Sequence, residues 1–208
     1  MKGSIIITAS FVMGCLSGYF GLLPTFIVRN NATEYVLYLL MFLVGVSIGG
    51  DRKLSDIAHT VSPKMLWIPA ATITGTLAFS ALAGLCMSRW SIPECMAVGS
   101  GFAYYSLSSI LITRLKETSV GTDMAAELGT IALMANIIRE ITTLLLAPLI
   151  AKYFGKLAPI CAGGATTMDT TLPVIIRYSG KDMTMIAVFH GITVDLSVPF
   201  LVSFFCSL

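Results

Sequence analysis

Long apolar stretches separated by short polar ones dominate the chain, and their length is that of membrane-crossing helices rather than of strands or amphipathic surface helices. A crossing helix needs about 20 largely apolar residues. Seven stretches approach that length, near 4–27, 35–50, 65–87, 92–112, 125–150, 157–176 and 183–207. The second is short, and the fourth and sixth carry polar residues inside them, which leaves a re-entrant hairpin open for either as the alternative to a span, each such change flipping everything downstream. The connections between them are brief and leave no room for a soluble domain. The pattern therefore predicts a single all-α integral membrane domain over 1–208 with about seven transmembrane segments. The first stretch follows Lys2 as a secretory signal would, but no small-residue cleavage site closes it, so it reads as a retained span.

The sixth stretch breaks its own pattern. Cys161-Ala-Gly-Gly-Ala-Thr-Thr-Met168-Asp169-Thr-Thr-Leu-Pro173 places glycines, threonines, an aspartate and a proline where lipid favours a plain apolar helix. Irregular backbone at membrane depth is tolerated only where protein buries it or where it lines a watery cavity. Gly163, Gly164 and Pro173 are thus expected to break a helix at a binding site for a small polar or charged solute. A second interrupted segment runs from Gly14 to Pro24, with Gly18, Gly21 and Pro24 as its breaking residues.

An internal echo links these two segments. Gly45-Val46-Ser47-Ile48 follows the first and Gly191-Ile192-Thr193-Val194 follows the second. Interrupted segments in corresponding positions of oppositely oriented halves are the pointer to a secondary-transporter site. On this reading 1–50 is the end of a first repeat and 65–208 a complete second one, about three spans short of a full pair. The deficit predicts a small membrane subunit supplying about three spans, or a homo-oligomer.

Composition agrees with a bilayer setting: 56% of residues are hydrophobic and 12% charged, against about 25% charged in soluble domains. A formal net charge of +2 gives no indication of a nucleic-acid partner. The bias of Lys and Arg between alternate loops favours a cytoplasmic N-terminus and an external C-terminus. Cys15, Cys86, Cys95, Cys161 and Cys206 stand alone, without C-x-x-C spacing or clustered histidines, so they read as small apolar residues. No metal or cofactor site is predicted. Gly45-Val-Ser47-Ile-Gly49 matches the G-x-S-x-G of hydrolases, but it ends an apolar span and lacks the strand that motif requires.

Five ionisable residues fall inside the apolar stretches: Arg139, Glu140, Asp169, His190 and Asp195. A central Asp, Lys or Arg costs about 2.5–3.5 kcal/mol on insertion scales, so these side chains should face one another or water. Asn136 and Glu140 share a helix face with Arg139 on its flank. That trio is either a structural cluster or a site in which Arg139 holds a substrate carboxylate. Asp169 beside unwound backbone suits a cation or a proton, or else caps helix amides with Thr166, Thr167, Thr170 and Thr171. Asp195 is a candidate for substrate or proton. His190 lies five residues earlier, about 140° away on a helix, as a packing residue or a proton carrier. In the fourth stretch, Tyr104, Tyr105 and Ser106 follow Gly99-Ser-Gly-Phe-Ala and suit either close helix packing or the wall of a polar cavity.

The chain resembles the lysine exporter family LysO. The resemblance lies in Met41-Phe-Leu-Val-Gly-Val-Ser-Ile-Gly, Gly99-Ser-Gly-Phe-Ala-Tyr-Tyr-Ser-Leu-Ser-Ser, Glu127-Leu-Gly-Thr-Ile-Ala-Leu-Met-Ala-Asn-Ile-Ile-Arg-Glu, Gly163-Gly-Ala-Thr-Thr-Met-Asp-Thr-Thr-Leu-Pro and Phe189-His-Gly-Ile-Thr-Val-Asp-Leu-Ser-Val-Pro. Single-chain members are longer at the N-terminus, so this chain is similar to their C-terminal part, as in versions split into two polypeptides. The resemblance implies a non-enzymatic exporter of L-lysine or a related basic amino acid in the bacterial inner membrane. It also implies an inverted-repeat fold with crossed broken helices, like that of sodium/proton antiporters and bile-acid transporters. Proton antiport would then use Asp169, with Asp195 or Glu140, for the substrate ammonium or a proton, assisted by Thr167 and Thr170. Arg139 or a broken-helix N-terminus would take the carboxylate. A sodium-coupled carrier of organic anions, or a non-transporting assembly subunit, remains compatible with the same fold.

Overall fold

The computed structural model describes residues 63–208, together with Met13, Gly14, Leu16, Ser17, Tyr19, Phe20, Leu39 and Phe42. The chain divides into two compact units, Met1–Val46 and Ser47–Leu208. In the first, the described positions are mostly helical, with the Phe20 amide donating to Leu16 O at 2.9 Å. The predicted break at Gly18, Gly21 and Pro24 lies outside the described residues, as does the echo at 45–48.

Helix is the only regular structure among the described residues of the second unit, with no strand. Its helices are α1 (Trp67–Cys86), α2 (Ile92–Gly99), α3 (Tyr105–Val120), α4 (Thr122–Phe154), α5 (Ala158–Gly163), α6 (Leu172–Ser179) and α7 (Thr184–Cys206). Among the described residues three helical stretches, Trp67–Cys86, Thr122–Phe154 and Lys181–Cys206, are long and apolar enough to cross a membrane. At about 1.5 Å per residue, the 33 residues of α4 span roughly 50 Å. Phe79, Leu145 and Phe200 on these helices point outward, as side chains facing lipid do.

The stretches 92–112 and 157–176, expected as spans, form helical hairpins instead. The first comprises α2 and α3. Ser91 and Glu94 form a capping box at the start of α2, and the helix ends in the Gly99-Ser-Gly run. Phe102 and Ala103 then adopt left-handed φ of 43° and 74°, which reverses the chain at roughly 1–2 kcal/mol per residue. Lys116, near the end of α3, lies 3.9 Å from Glu94 at the start of α2, so both arms return to one end of the unit. Arg89 pairs with Glu127 near the start of α4, which fixes that end as the one from which α4 departs.

The second hairpin comprises α5 and α6 and sits at the opposite end of α4. Lys156 before α5 approaches Asp182 after α6 at 3.8 Å. Ile160 and Ile175, one from each arm, are buried together with Ala187 of α7. Gly164 turns left-handed at φ 61°, and Pro173 falls in the first turn of α6, where the missing N–H costs nothing. The architecture is helix, hairpin, long helix, hairpin, helix, with hairpins entering from opposite ends.

A candidate cation site at the meeting hairpin tips

The two tips touch. The Ala165 amide donates to Phe102 O at 2.9 Å, and a Cβ on Gly164 would stand 2.3 Å from that same oxygen, so only glycine permits the approach. Phe102, Ala103, Gly164 and Ala165 are all buried, so every polar backbone group here needs a partner.

Each tip solves this requirement differently. At the first, the side chain of Asn136 on α4 substitutes for missing backbone: Oδ1 accepts the Ala103 amide at 2.7 Å, and Nδ2 donates to Ala132 O at 2.8 Å. Longer contacts of 3.4 Å run from Nδ2 to Val98 O and to Ser108 Oγ. At the second tip the threonines act locally. Thr166 Oγ1 donates to Gly163 O, and Thr167 Oγ1 lies within 2.8 Å of Gly164 O and Ala187 O.

His190 is fully buried, with Thr72 Oγ1 at 2.9 Å from Nε2 and Thr167 Oγ1 at 3.2 Å from Nδ1. Both hydroxyls also reach backbone carbonyls, Thr72 that of Ile68 at 3.1 Å and Thr167 those of Gly164 and Ala187, and a neutral imidazole offers one donor and one acceptor to the pair. His190 thereby ties α1, α7 and the second tip together. Beside it, Gly191 lets α7 approach the Met168 amide, to which an added Cβ would be 2.7 Å.

Three carboxylates converge at the exit of the second tip. Asp169 is exposed and accepts the Thr170 amide and hydroxyl. Asp169 is within electrostatic reach of Glu140 and of Asp195, and Thr170 is near Glu140. Tyr104, before α3, is within electrostatic reach of Asp195 and Asp169, and Tyr105 of Glu140 and Asp169. Asp195 is only 5% exposed and makes no hydrogen bond or ion pair with a described residue. Ser106 stands partly buried beside Tyr105.

The structure thus brings together Asp169, Glu140, Asp195, Thr170 and the two tyrosines. It places Asn136, Arg139, Thr167 and His190 in the framework behind them. The Arg139 guanidinium donates from Nε to Ala162 O at 2.9 Å, from Nη2 to Cys161 O at 3.0 Å and from Nη1 to Thr76 Oγ1 at 3.3 Å. Sequence reasoning missed Thr72, Thr76, Phe102 and Ala103. Gly99 and Gly101 flanking a serine were the available signal for the first tip.

Residues 8–206 match the family described as lysine exporter LysO. The chain belongs to that family. LysO-family proteins are transporters rather than enzymes, and this member is a membrane protein. It is 32% identical over 177 residues to the lysine exporter LysO of Escherichia coli, covering 85% of this chain and 55% of that protein. It is also 31% identical over 179 residues to a candidate lysine exporter of Haemophilus influenzae, covering 86% of each. The chain therefore spans about half the length of the E. coli relative. No solved structure matches it significantly.

Proposed function

We propose that the chain exports L-lysine, or a closely related basic amino acid, across the bacterial inner membrane in exchange for protons. The observation that carries this reading is Asp195, a buried carboxylate with no partner among the described residues, beside a second acid at Asp169. A buried charge without a partner is costly, and the deficit is filled by either a proton or an ammonium group. Glu140 adds a third acid, so the site favours a cationic ligand over an anionic one.

Energetics supports exchange. Moving lysine's net positive charge outward against an inside-negative potential costs about 2.3 kcal/mol per 100 mV, and an inward proton returns that work. In this scheme the ammonium and the proton alternate on Asp169 and Asp195.

The hairpins also inform orientation and partners. Lys152, Lys156, Arg177 and Lys181 gather at the base of the second hairpin, against Arg89, Arg114 and Lys116 at the base of the first. That bias makes the second base cytoplasmic and the C-terminus external. Asp169 and Thr170 are exposed on the described unit, and polar groups at membrane depth require cover. A separate subunit of about three spans, or a second copy, would supply it.

The test is lysine efflux from proteoliposomes under an imposed pH gradient, with and without a co-purifying membrane subunit. Wild-type flux should follow the proton gradient and ignore sodium. Asp169→Asn should reduce flux at least ~10-fold, the scale of one lost charged hydrogen bond. Proton-driven lysine flux retained by that variant would overturn the assignment.

A further inference from the structure

We propose that Arg139 is a positioning residue: it seats the second hairpin tip against the first, and acts on transport through that tip rather than by binding the substrate carboxylate. The proposal deepens the lysine-export reading and rests on it only for the ligand used below.

A guanidinium has five N–H donors in a rigid fork. In Arg139 the fork is spent on the carbonyls of Cys161 and Ala162, consecutive acceptors in the last turn of α5, where a helix leaves its carbonyls without intrahelical partners. A planar fork meets two adjacent oxygens at once, as a lysine ammonium does not. The third donor reaches Thr76 on α1, so the same group also links the hairpin to the outer helix.

Arg139 touches the other tip as well. Its Cζ lies 5.7 Å from the ring centroid of Phe102, the residue whose carbonyl receives the Ala165 amide. Three residues earlier on α4, Asn136 holds the Ala103 amide of the first tip. A single turn of α4 therefore sets both tips.

The alternative role is poorly served by the surroundings. Arg139 lines a cavity of about 220 Å³ with Thr76, Ser80, Trp90, Leu128 and Asn136. None of the three acids lines that cavity, so a carboxylate held there would be parted from the groups that attract the ammonium.

Two measurements on the purified full-length protein, with its subunit if one co-purifies, decide the matter. Backbone hydrogen exchange, read without any ligand, should rise at least ~10-fold in the 160–171 segment of Arg139→Gln and of Arg139→Lys. Asn136→Ala should instead raise exchange in the 100–106 segment. Binding of lysine and of 1,5-diaminopentane, which lacks the carboxylate, should weaken by the same factor in both arginine variants. Unchanged exchange at 160–171 overturns the proposal, and so does a loss confined to lysine. Should Arg139→Gln not fold, Arg139→Lys gives both readouts alone. If the wild type binds neither amine, lysine export is refuted while the exchange arm still decides positioning.

Discussion

The two hairpins share a shape but not a way of being held. The first is braced at its base by Glu94 and Lys116, whose side chains are 10% and 8% exposed, and at its tip by Asn136 reaching in from α4. The ion pair at the base of the second, Lys156 with Asp182, is 64% and 60% exposed, and its tip satisfies much of its backbone with its own threonines. The difference shows where polarity is spent. In the first hairpin polar side chains are consumed in holding the backbone. In the second, Arg139 and the threonines cover the backbone, which leaves Asp169 turned outward with Glu140 and Asp195 nearby. The first hairpin is thus held largely by polar side chains from outside its tip, while the second leaves the Asp169 carboxylate exposed.

The contact between the tips is the sharpest place to break that arrangement. Gly164→Ala combines a left-handed φ, costing roughly 1–2 kcal/mol, with a Cβ that overlaps Phe102 O. Neither partner is a flexible side chain, so the tips must separate, and the variant should fail to give a stable, monodisperse protein in detergent. Gly155 has a φ of 88° but open space around it. Gly155→Ala should therefore lose only the backbone term, about 1–2 kcal/mol. Equal thermal unfolding of the two variants would mean the tips do not meet.

Next in size comes the buried pair. Glu94→Gln keeps the capping box, because glutamine also reaches back to the Ser91 amide, yet it strands the Lys116 charge. Breaking a buried pair in this way costs about 3–5 kcal/mol. Lys116→Met in the same background should recover much of that loss, since an apolar side chain then replaces an uncompensated charge. Thermal unfolding of the single and double variants checks both steps.

Asn136→Ala should cost less, about 1–3 kcal/mol, by leaving the Ala103 amide buried without its acceptor. Its effect belongs to the first tip, so export should fall through stability rather than through affinity for the substrate. A changed lysine affinity at unchanged stability would count against the scaffold role.

Much of this was legible in the chain. The apolar lengths of α1, α4 and α7 announce crossing helices, and the Gly163 to Pro173 run announces a break with Asp169 in it. The hairpins were legible only as an alternative to spans at the two polar stretches, because hydropathy reports burial in an apolar medium and not the direction of travel. A span and a hairpin of similar length have the same composition. What separates them is the pairing of Glu94 with Lys116 and of Lys156 with Asp182, both between residues more than twenty apart, which no periodicity encodes. The first tip was hidden for a related reason. Left-handed Phe102 and Ala103 are stabilised by Asn136, thirty-three residues away, rather than by any local turn signal. Arg139 read either as part of a structural cluster or as a holder of a substrate carboxylate, because the Cys161 and Ala162 carbonyls it donates to are invisible in sequence.

The smallest effect closes the comparison. Asp182→Asn removes the counterpart of the Glu94 charge at the second base, but both partners there lie mostly in solvent. Exposed pairs contribute at most about 1 kcal/mol, and salt screens them further. Thermal unfolding should thus be nearly unchanged at physiological salt, in contrast with Glu94→Gln. Were the two substitutions equally damaging, the second hairpin would be as firmly braced as the first, and its tip would owe its role to something other than a loosely held base. The expected asymmetry instead leaves the arms of the second hairpin held together by Ile160 and Ile175 against Ala187, a contact that apolar packing alone maintains.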